Sequence, residues 1–253
     1  MFINERRQQI LEKLEKQNSL TVLELVDLFR VSAATIRQDL NSLANAGLLI
    51  RTHGGATKNE DKIVSESERA YDVRKSVNLV EKQIIAKKAI DFIEPNDCIF
   101  LDASSTCYEL SQLLLNYEYP LTILTSGLRT ASLLKENSLL TVIIIGGIVT
   151  QNSNAIEGNI RFDFLKRFHI NKFFTSCYAI SSTEGLSDFK MYEAELKSEM
   201  IQKVDHTIAL IDSSKFDKVS IINFATLDEI DLIVNDGLLS QETLDKYKNI
   251  KII

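Results

Sequence analysis

Residues 31–56 read VSAATIRQDLNSLANAGLLIRTHGGA, and this stretch decides how the first part of the chain folds. Ser32 is a capping residue placed before a segment, about Ala33 to Asn45, whose Ile36, Leu40 and Leu43 fall on one helical face. Gly47 stands just past its end, where a left-handed residue is wanted. Toward the N-terminus, Arg30-Val31 makes a tight turn. Before it, Thr21 caps another short helix, with Glu24 three residues on to complete a capping box and Val22, Leu25, Val26 and Phe29 as the apolar face. Further back, Asn4 is expected to cap a helix from about Glu5 to Lys16 that turns Ile10, Leu11 and Leu14 inward and ends at Gln17-Asn18-Ser19. Toward the C-terminus, Leu48 to Ala56 is extended and turns at Gly54-Gly55, in the manner of a wing.

A short helix, a tight turn and a second short helix form the helix-turn-helix pattern, in which the first turns of the second helix point into the DNA major groove. The outward residues there are Ser32, Thr35, Arg37, Gln38 and Asn41. Arginine pairs bidentately with guanine and glutamine with adenine, while serine and threonine suit phosphate oxygens. Arg51, His53 and Gly54 on the wing are placed to meet the DNA backbone or the minor groove. Charge adds little to this reading. Residues 1–60 hold eight Lys/Arg and seven Asp/Glu, and the other 193 residues carry about −7. Only the contacting face has to be positive.

The chain has 253 residues, 45% of them apolar and 25% charged, which suits a small soluble domain joined to a medium one. Its longest apolar stretch, Leu139 to Val149, is broken by Thr141 and by Gly146-Gly147 and is far too short to cross a bilayer. The start, MFINERRQQI, does not read as a secretory signal. Cys98, Cys107 and Cys177 lack C-x-x-C spacing and read as thiols of a reducing cytoplasm. His53, His169 and His206 lie far apart, so neither a metal site nor a cofactor is expected.

Residues 1–57 are thus read as a DNA-binding domain, 58–76 as a polar linker with a hinge at about 57–70, and 77–253 as a larger domain. In the last, helical and strand patterns alternate. A helix carries Ile84, Ile85, Ala89 and Ile90, and strands are expected at Cys98–Leu101, Thr122–Leu124, Thr141–Ile145, Lys172–Phe174, Thr207–Ile211 and Asp231–Val234. A charged helix is expected over about Phe189 to Val204. The fold class is α/β, a mostly parallel sheet covered on both faces. Ligands of such sheets sit beyond the carboxyl ends of the strands. The polar clusters fall there: Asp102, Ser104, Ser105 and Thr106 opening a helix, then Thr125-Ser126, Gly146-Gly147 and Ser213-Ser214-Lys215. A helix N-terminus with hydroxyls suits a phosphate, with Lys215 as counter-charge and Asp102 accepting from sugar hydroxyls.

The 31–56 stretch resembles the DeoR-type winged helix, on Val31, Ser32, Thr35, Ile36, Arg37, Asp39, Leu40, Gly47, Arg51, His53, Gly54, Gly55 and Ala56. Gln38 stands where that family usually has a second arginine. The resemblance continues from Arg74 through Glu81-Lys82, Ile99–Asp102, Gly146-Gly147, Gly158, Lys172–Phe174, Gly185, Glu193-Ala194 and Ser214-Lys215-Phe216, and covers about Glu5 to Asp236. It implies a sensor domain similar in fold to ribose-5-phosphate isomerase and CoA-transferase domains. It further implies a homo-oligomeric repressor (dimer or tetramer) of a carbohydrate operon that leaves its double-stranded operator when a phosphorylated sugar binds. The loop Asp102-Ala103-Ser104-Ser105-Thr106 departs from the family's Asp-x-Gly-Thr-Thr, Thr125-Ser126 from its Thr-Asn, and Thr175-Ser176-Cys177 from its glycine. Two alternatives remain at this stage. One is a sugar-phosphate isomerase or transferase with a DNA-binding tail, drawing on Asp102, Lys215 and Glu193 or Asp188. The other is a constitutive DNA-binding protein whose α/β domain senses nothing.

Overall fold

The computed structural model describes residues 3–45, 49–57, 71–150, 153–158 and 165–253. The chain divides into two compact units, Met1–Val77 and Asn78–Ile253.

In the first unit, α1 (Ile3–Gln17), α2 (Val22–Phe29) and α3 (Ala33–Asn45) enclose a core of Ile10, Leu14, Leu25, Ile36, Leu40 and Leu49. The α1 helix begins at Ile3, so Asn4 lies inside it instead of capping it. Thr21 caps α2 in the expected box. Its backbone N–H donates to Glu24 Oε2 at 2.7 Å, and Glu24 N–H donates to Thr21 Oγ1 at 3.2 Å. The wing strands β2 (Ile50–Arg51) and β3 (Gly55–Thr57) pair antiparallel, and β1 (Ser19–Thr21), not anticipated, adds to the other side of β3. Gly47 and residues 58–70 of the expected linker lie outside the described residues. The linker's last six, Tyr71–Ser76, form a helix, α4.

The second unit is built on six parallel strands. They are β4 (Cys98–Leu101), β5 (Leu121–Thr125), β6 (Leu140–Ile144), β9 (Ile170–Thr175), β12 (Val204–Leu210) and β14 (Leu232–Val234), in the order β14-β12-β9-β4-β5-β6. Alternate residues feed opposite cores, as the two-residue period of a strand requires. Ile99 and Leu101 pack with Ile85 of α5 (Leu79–Ala89), Leu110 of α6 (Ser105–Leu114) and Leu134 of α7 (Leu128–Leu134). Phe100 and Phe173 pack on the other face with Leu196 and Met200 of α8 (Met191–Ile201). Apolar positions on both faces of the central strands β4 and β9 are buried, which is why they read as near-continuous apolar runs.

Two small sheets were not anticipated. The first is an antiparallel sheet of β10 (Ala179–Ser181), β11 (Gly185–Asp188) and β13 (Ile222–Ala225). The second is a short hairpin of β7 (Ile148–Val149) and β8 (Ile156–Glu157). Both are made of two- to four-residue strands with too little alternation to stand out.

Candidate DNA-reading surface and effector site

The reading helix is set by its two ends. α2 stops because Arg30 turns left-handed (φ 51°), its N–H donating to Val26 O at 2.8 Å. Ser32 Oγ then accepts from Thr35 N–H at 3.1 Å and shares a proton with Thr35 Oγ1 at 2.8 Å. One of the two hydroxyl protons is left to donate to a phosphate oxygen. Arg37, Gln38 and Asn41 are exposed, while Ile36, Asp39 and Leu40 behind them are buried. Asp39 fixes the face they stand on. It accepts from Arg6 Nε at 2.6 Å and from Arg7 Nε at 2.9 Å, and Arg7 also reaches Ser42 Oγ at 3.0 Å. Arg51 Nε donates to Asn41 Oδ1 at 3.2 Å, and its Nη1 holds the carbonyls of Thr52 and Gly55. Arg51 and Asn41 therefore tie the wing to the helix, and His53 and Gly54 are exposed at the wing tip. A Cβ at Gly55 would sit 1.9 Å from Leu20 O, so glycine there permits β3 to pair with β1.

In the second unit all six parallel strands end on one edge, and strand order reverses between β4 and β9. That switch point is where open parallel sheets take ligands. Asp102 lies there, 2% exposed, immediately after β4. Its Oδ2 accepts from Thr175 Oγ1 and from Ser176 N–H, both at 2.9 Å, and its Oδ1 accepts from Ser104 N–H at 2.8 Å. Lys197 Nζ is 3.6 Å from Asp102 and donates to Asp188 Oδ2 at 2.7 Å and to Ser176 O at 2.8 Å. Burial pushes the Asp102 carboxyl up, but the Lys197 ammonium and the bonds from Ser104 and Ser176 outweigh it and hold it below the usual carboxylate range. Burial likewise works against the Lys197 ammonium, and Asp188 and Asp102 overcome it, so Lys197 stays protonated well above the ordinary lysine range.

Around this pair the strand-end loops satisfy one another. Ser104 caps α6 at an ordinary extended backbone (φ −68°), its Oγ accepting from Cys107 N–H at 3.1 Å. Ser105 and Thr106 are buried in the first turn. Thr125 Oγ1 accepts from Gly127 N–H at 3.0 Å, and Ser126 O accepts from Ile156 N–H at 2.8 Å. Asn154, in the hairpin loop, donates to Ala103 O at 3.3 Å, and its Oδ1 accepts from Arg129 N–H at 2.8 Å. A Cβ at Gly147 would meet Glu157 O at 2.2 Å, whereas Gly146 faces open space. Lys190 Nζ bridges Ser153 Oγ (3.1 Å), Glu193 (3.2 Å) and Glu157 (3.6 Å). Lys215 is half-buried at the end of β12, its Nζ 5.1 Å over the Tyr178 ring. The cation beside Asp102 is Lys197, while Lys215, expected as counter-charge to a phosphate, stands over the Tyr178 ring.

A DeoR-like helix-turn-helix domain matches residues 6–62, and the DeoR C terminal sensor domain matches residues 77–237. The chain belongs to the DeoR family of transcriptional regulators. It is 37% identical to the HTH-type transcriptional regulator GolR of Listeria innocua over 98% of this chain and 96% of that protein. It is 36% identical to the L-fucose operon activator of Haemophilus influenzae over 97% and 96%. It is 29% identical to the glycerol-3-phosphate regulon repressor of Escherichia coli over 92% and 90%. As a DeoR protein it is a DNA-binding transcriptional regulator. No helix among the described residues is long and apolar enough to cross a membrane.

Sequence reading of this DeoR chain missed Lys197 and Asn154 as site residues, and placed Asp188 only in the enzyme alternative. A signal for Lys197 was present: with Ala194 and Met200 it shares a buried stripe of α8. A lysine on such a stripe needs a carboxylate partner. Asn154 carried no such signal, because its role depends on how the hairpin folds back. The departure at Ser104 has a definite local consequence. Its backbone is unstrained, so the added Cβ costs nothing there, but its hydroxyl consumes an amide that glycine would leave for a ligand.

Proposed function

We propose that this regulator is a cytoplasmic, homo-oligomeric repressor of a carbohydrate operon, released when a phosphorylated sugar occupies the edge of the second unit between β4 and β9. The observation that carries this is Asp102. It is a buried, ionised carboxylate at the switch point, beside the first turn of a ten-residue helix. The helix terminus suits a phosphate, and the carboxylate suits hydroxyl donors. The relationship to the glycerol-3-phosphate regulon repressor supports both the sign and the ligand class.

The DNA contacts proposed are Arg37 and Gln38 to base edges, Ser32 and Thr35 to phosphate, and His53 and Gly54 from the wing, with Asn41 and Arg51 holding the wing in place. Ligand would favour an arrangement of subunits that misplaces paired reading helices, which takes a few kcal/mol of preference for the free form. Activation is the second reading, favoured by the relationship to the L-fucose operon activator. The test is binding to DNA beside the protein's own gene, at fixed salt, with and without a panel of sugar phosphates. Specific binding relieved by one compound is expected; binding strengthened by it means activation, and no specific binding removes the reading.

A further inference from the structure

Twenty consecutive residues, Asn137 to Ile156, carry no charged side chain, the longest such run in a chain that is 25% charged. The run contains β6, the outermost strand of the parallel sheet, and most of the β7–β8 hairpin. Among the described residues β6 pairs with β5 on one side and with no strand on the other. Apolar side chains stand in solvent along it: Leu139 (44% exposed), Ile144 (42%), Ile148 (56%) and Val149 (61%). A sheet edge without lysine, proline or an inward charge invites another strand, and proteins that stay single blunt such edges.

The same run is bonded to the effector loops. Ile145 N–H donates to Thr125 O at 3.0 Å, Ile156 N–H to Ser126 O at 2.8 Å, and Asn154 to Ala103 O at 3.3 Å. We propose that this edge is the contact between two copies of the chain, and that effector occupancy changes DNA binding through it. The second clause rests on the sensor reading above.

Charge selects the occupant. After residue 60 the chain holds 28 Asp/Glu against 21 Lys/Arg, so two copies repel over most of their surface. An uncharged edge lets them meet without that repulsion, and it offers no complement to a charged partner. About a two-fold axis β6 lies antiparallel to itself, so backbone groups pair across the axis and Ile144 of each copy faces the apolar run of the other. A winged helix presents one reading helix per chain, and a second copy supplies the other half-site. The other exposed apolar side chains Met191, Val219 and Ile221 lie on segments that also carry the charges Lys190 and Lys218.

The experiment is sedimentation of the full chain beside operator binding, for wild type, for Ile144→Lys with Val149→Asp, and for Ile221→Asp. Wild type and Ile221→Asp are expected to be oligomeric. The double variant should fall to a smaller species, keep a cooperative urea transition, and lose about a hundredfold or more in operator affinity. A single-chain wild type, an undiminished double variant, or dissociation by Ile221→Asp instead overturns the contact. If the double variant unfolds, Ile144→Cys decides: oxidation should link two chains through this residue, and failure to link them also overturns the contact. Operator binding by an edge-paired wild type that no sugar phosphate relieves leaves the contact standing and removes the effector clause along with the sensor reading.

Discussion

The two units bury charge for different ends. In the first, Asp39 and its arginines are scaffolding: they clamp α1 to α3, while Arg37 and Gln38 face outward on the opposite side of the helix. In the second, Asp102, Lys197 and Asp188 hold three elements together at the place where a ligand is proposed to bind. Folding and reading are separable in the first unit and share the same atoms in the second. Substitutions test that contrast directly.

The largest effect is expected from Lys197→Met. Removing the ammonium strands two buried carboxylates, which costs about 3–5 kcal/mol for a broken buried pair. Urea unfolding should show the second unit melting early while operator-reading residues keep their signals. An unchanged midpoint would mean the network contributes nothing. Asp39→Ala, which strands the buried Arg6, should cost a similar amount in the first unit and leave the second intact.

The pH dependence has a definite sign. Asp102 titrates below its unfolded value, so its stabilisation is complete above the usual carboxylate range, about pH 4, and is lost as pH falls through the folded value. Lys197 titrates above its unfolded value, so its share is complete below the usual lysine range, about pH 10, and is lost only as pH rises past that. The gap in unfolding free energy between wild type and Asp102→Asn should therefore be flat from about pH 5 to about pH 9 and shrink in acid.

Arg37→Ala comes next in size. A bidentate base contact discriminates by about 1–3 kcal/mol, and an exposed substitution moves stability by only about 0.5 kcal/mol. Binding isotherms on the operator and its single-base variants should show weaker binding and relaxed preference at one position, at an unchanged melting temperature. Intact specificity would move the reading helix elsewhere.

The same contrast explains what could be read from the residues alone. The first unit's signals are local. The Thr21–Glu24 box, the Ser32 cap and the apolar stripe of α3 each lie within a few residues, and local spacing determines them. The six parallel strands of the second unit were equally legible, since each is a short apolar run. Its site was half legible. Asp102 and the α6 terminus follow from strand-end position, but pairing Asp102 with Lys197 joins residues on β4's loop and α8 that only the sheet order brings together. Asn154 is a loop residue 51 positions from the carbonyl it holds. Lys215 follows from strand-end position as Asp102 does, but its packing over Tyr178 depends on the folded chain.

The smallest expected change in stability tests whether the second unit's two tasks can be pulled apart. In Ser104→Gly the hydroxyl that accepts from Cys107 N–H is removed. Glycine tolerates the N-cap position almost as well, so stability should fall by only a few tenths of a kcal/mol. The freed amide lies in the first turn of α6, where the helix dipole favours an anion. The variant should therefore bind the inducing sugar phosphate more tightly, and calorimetry beside thermal melting would show affinity and stability moving in opposite directions. Asp102 would keep the bond from the backbone N–H of this residue and lose only the contribution of its hydroxyl, with Lys197 and Ser176 still holding the carboxylate ionised. If affinity falls with stability instead, the Ser104 hydroxyl itself touches the ligand, and folding and reading share that atom too.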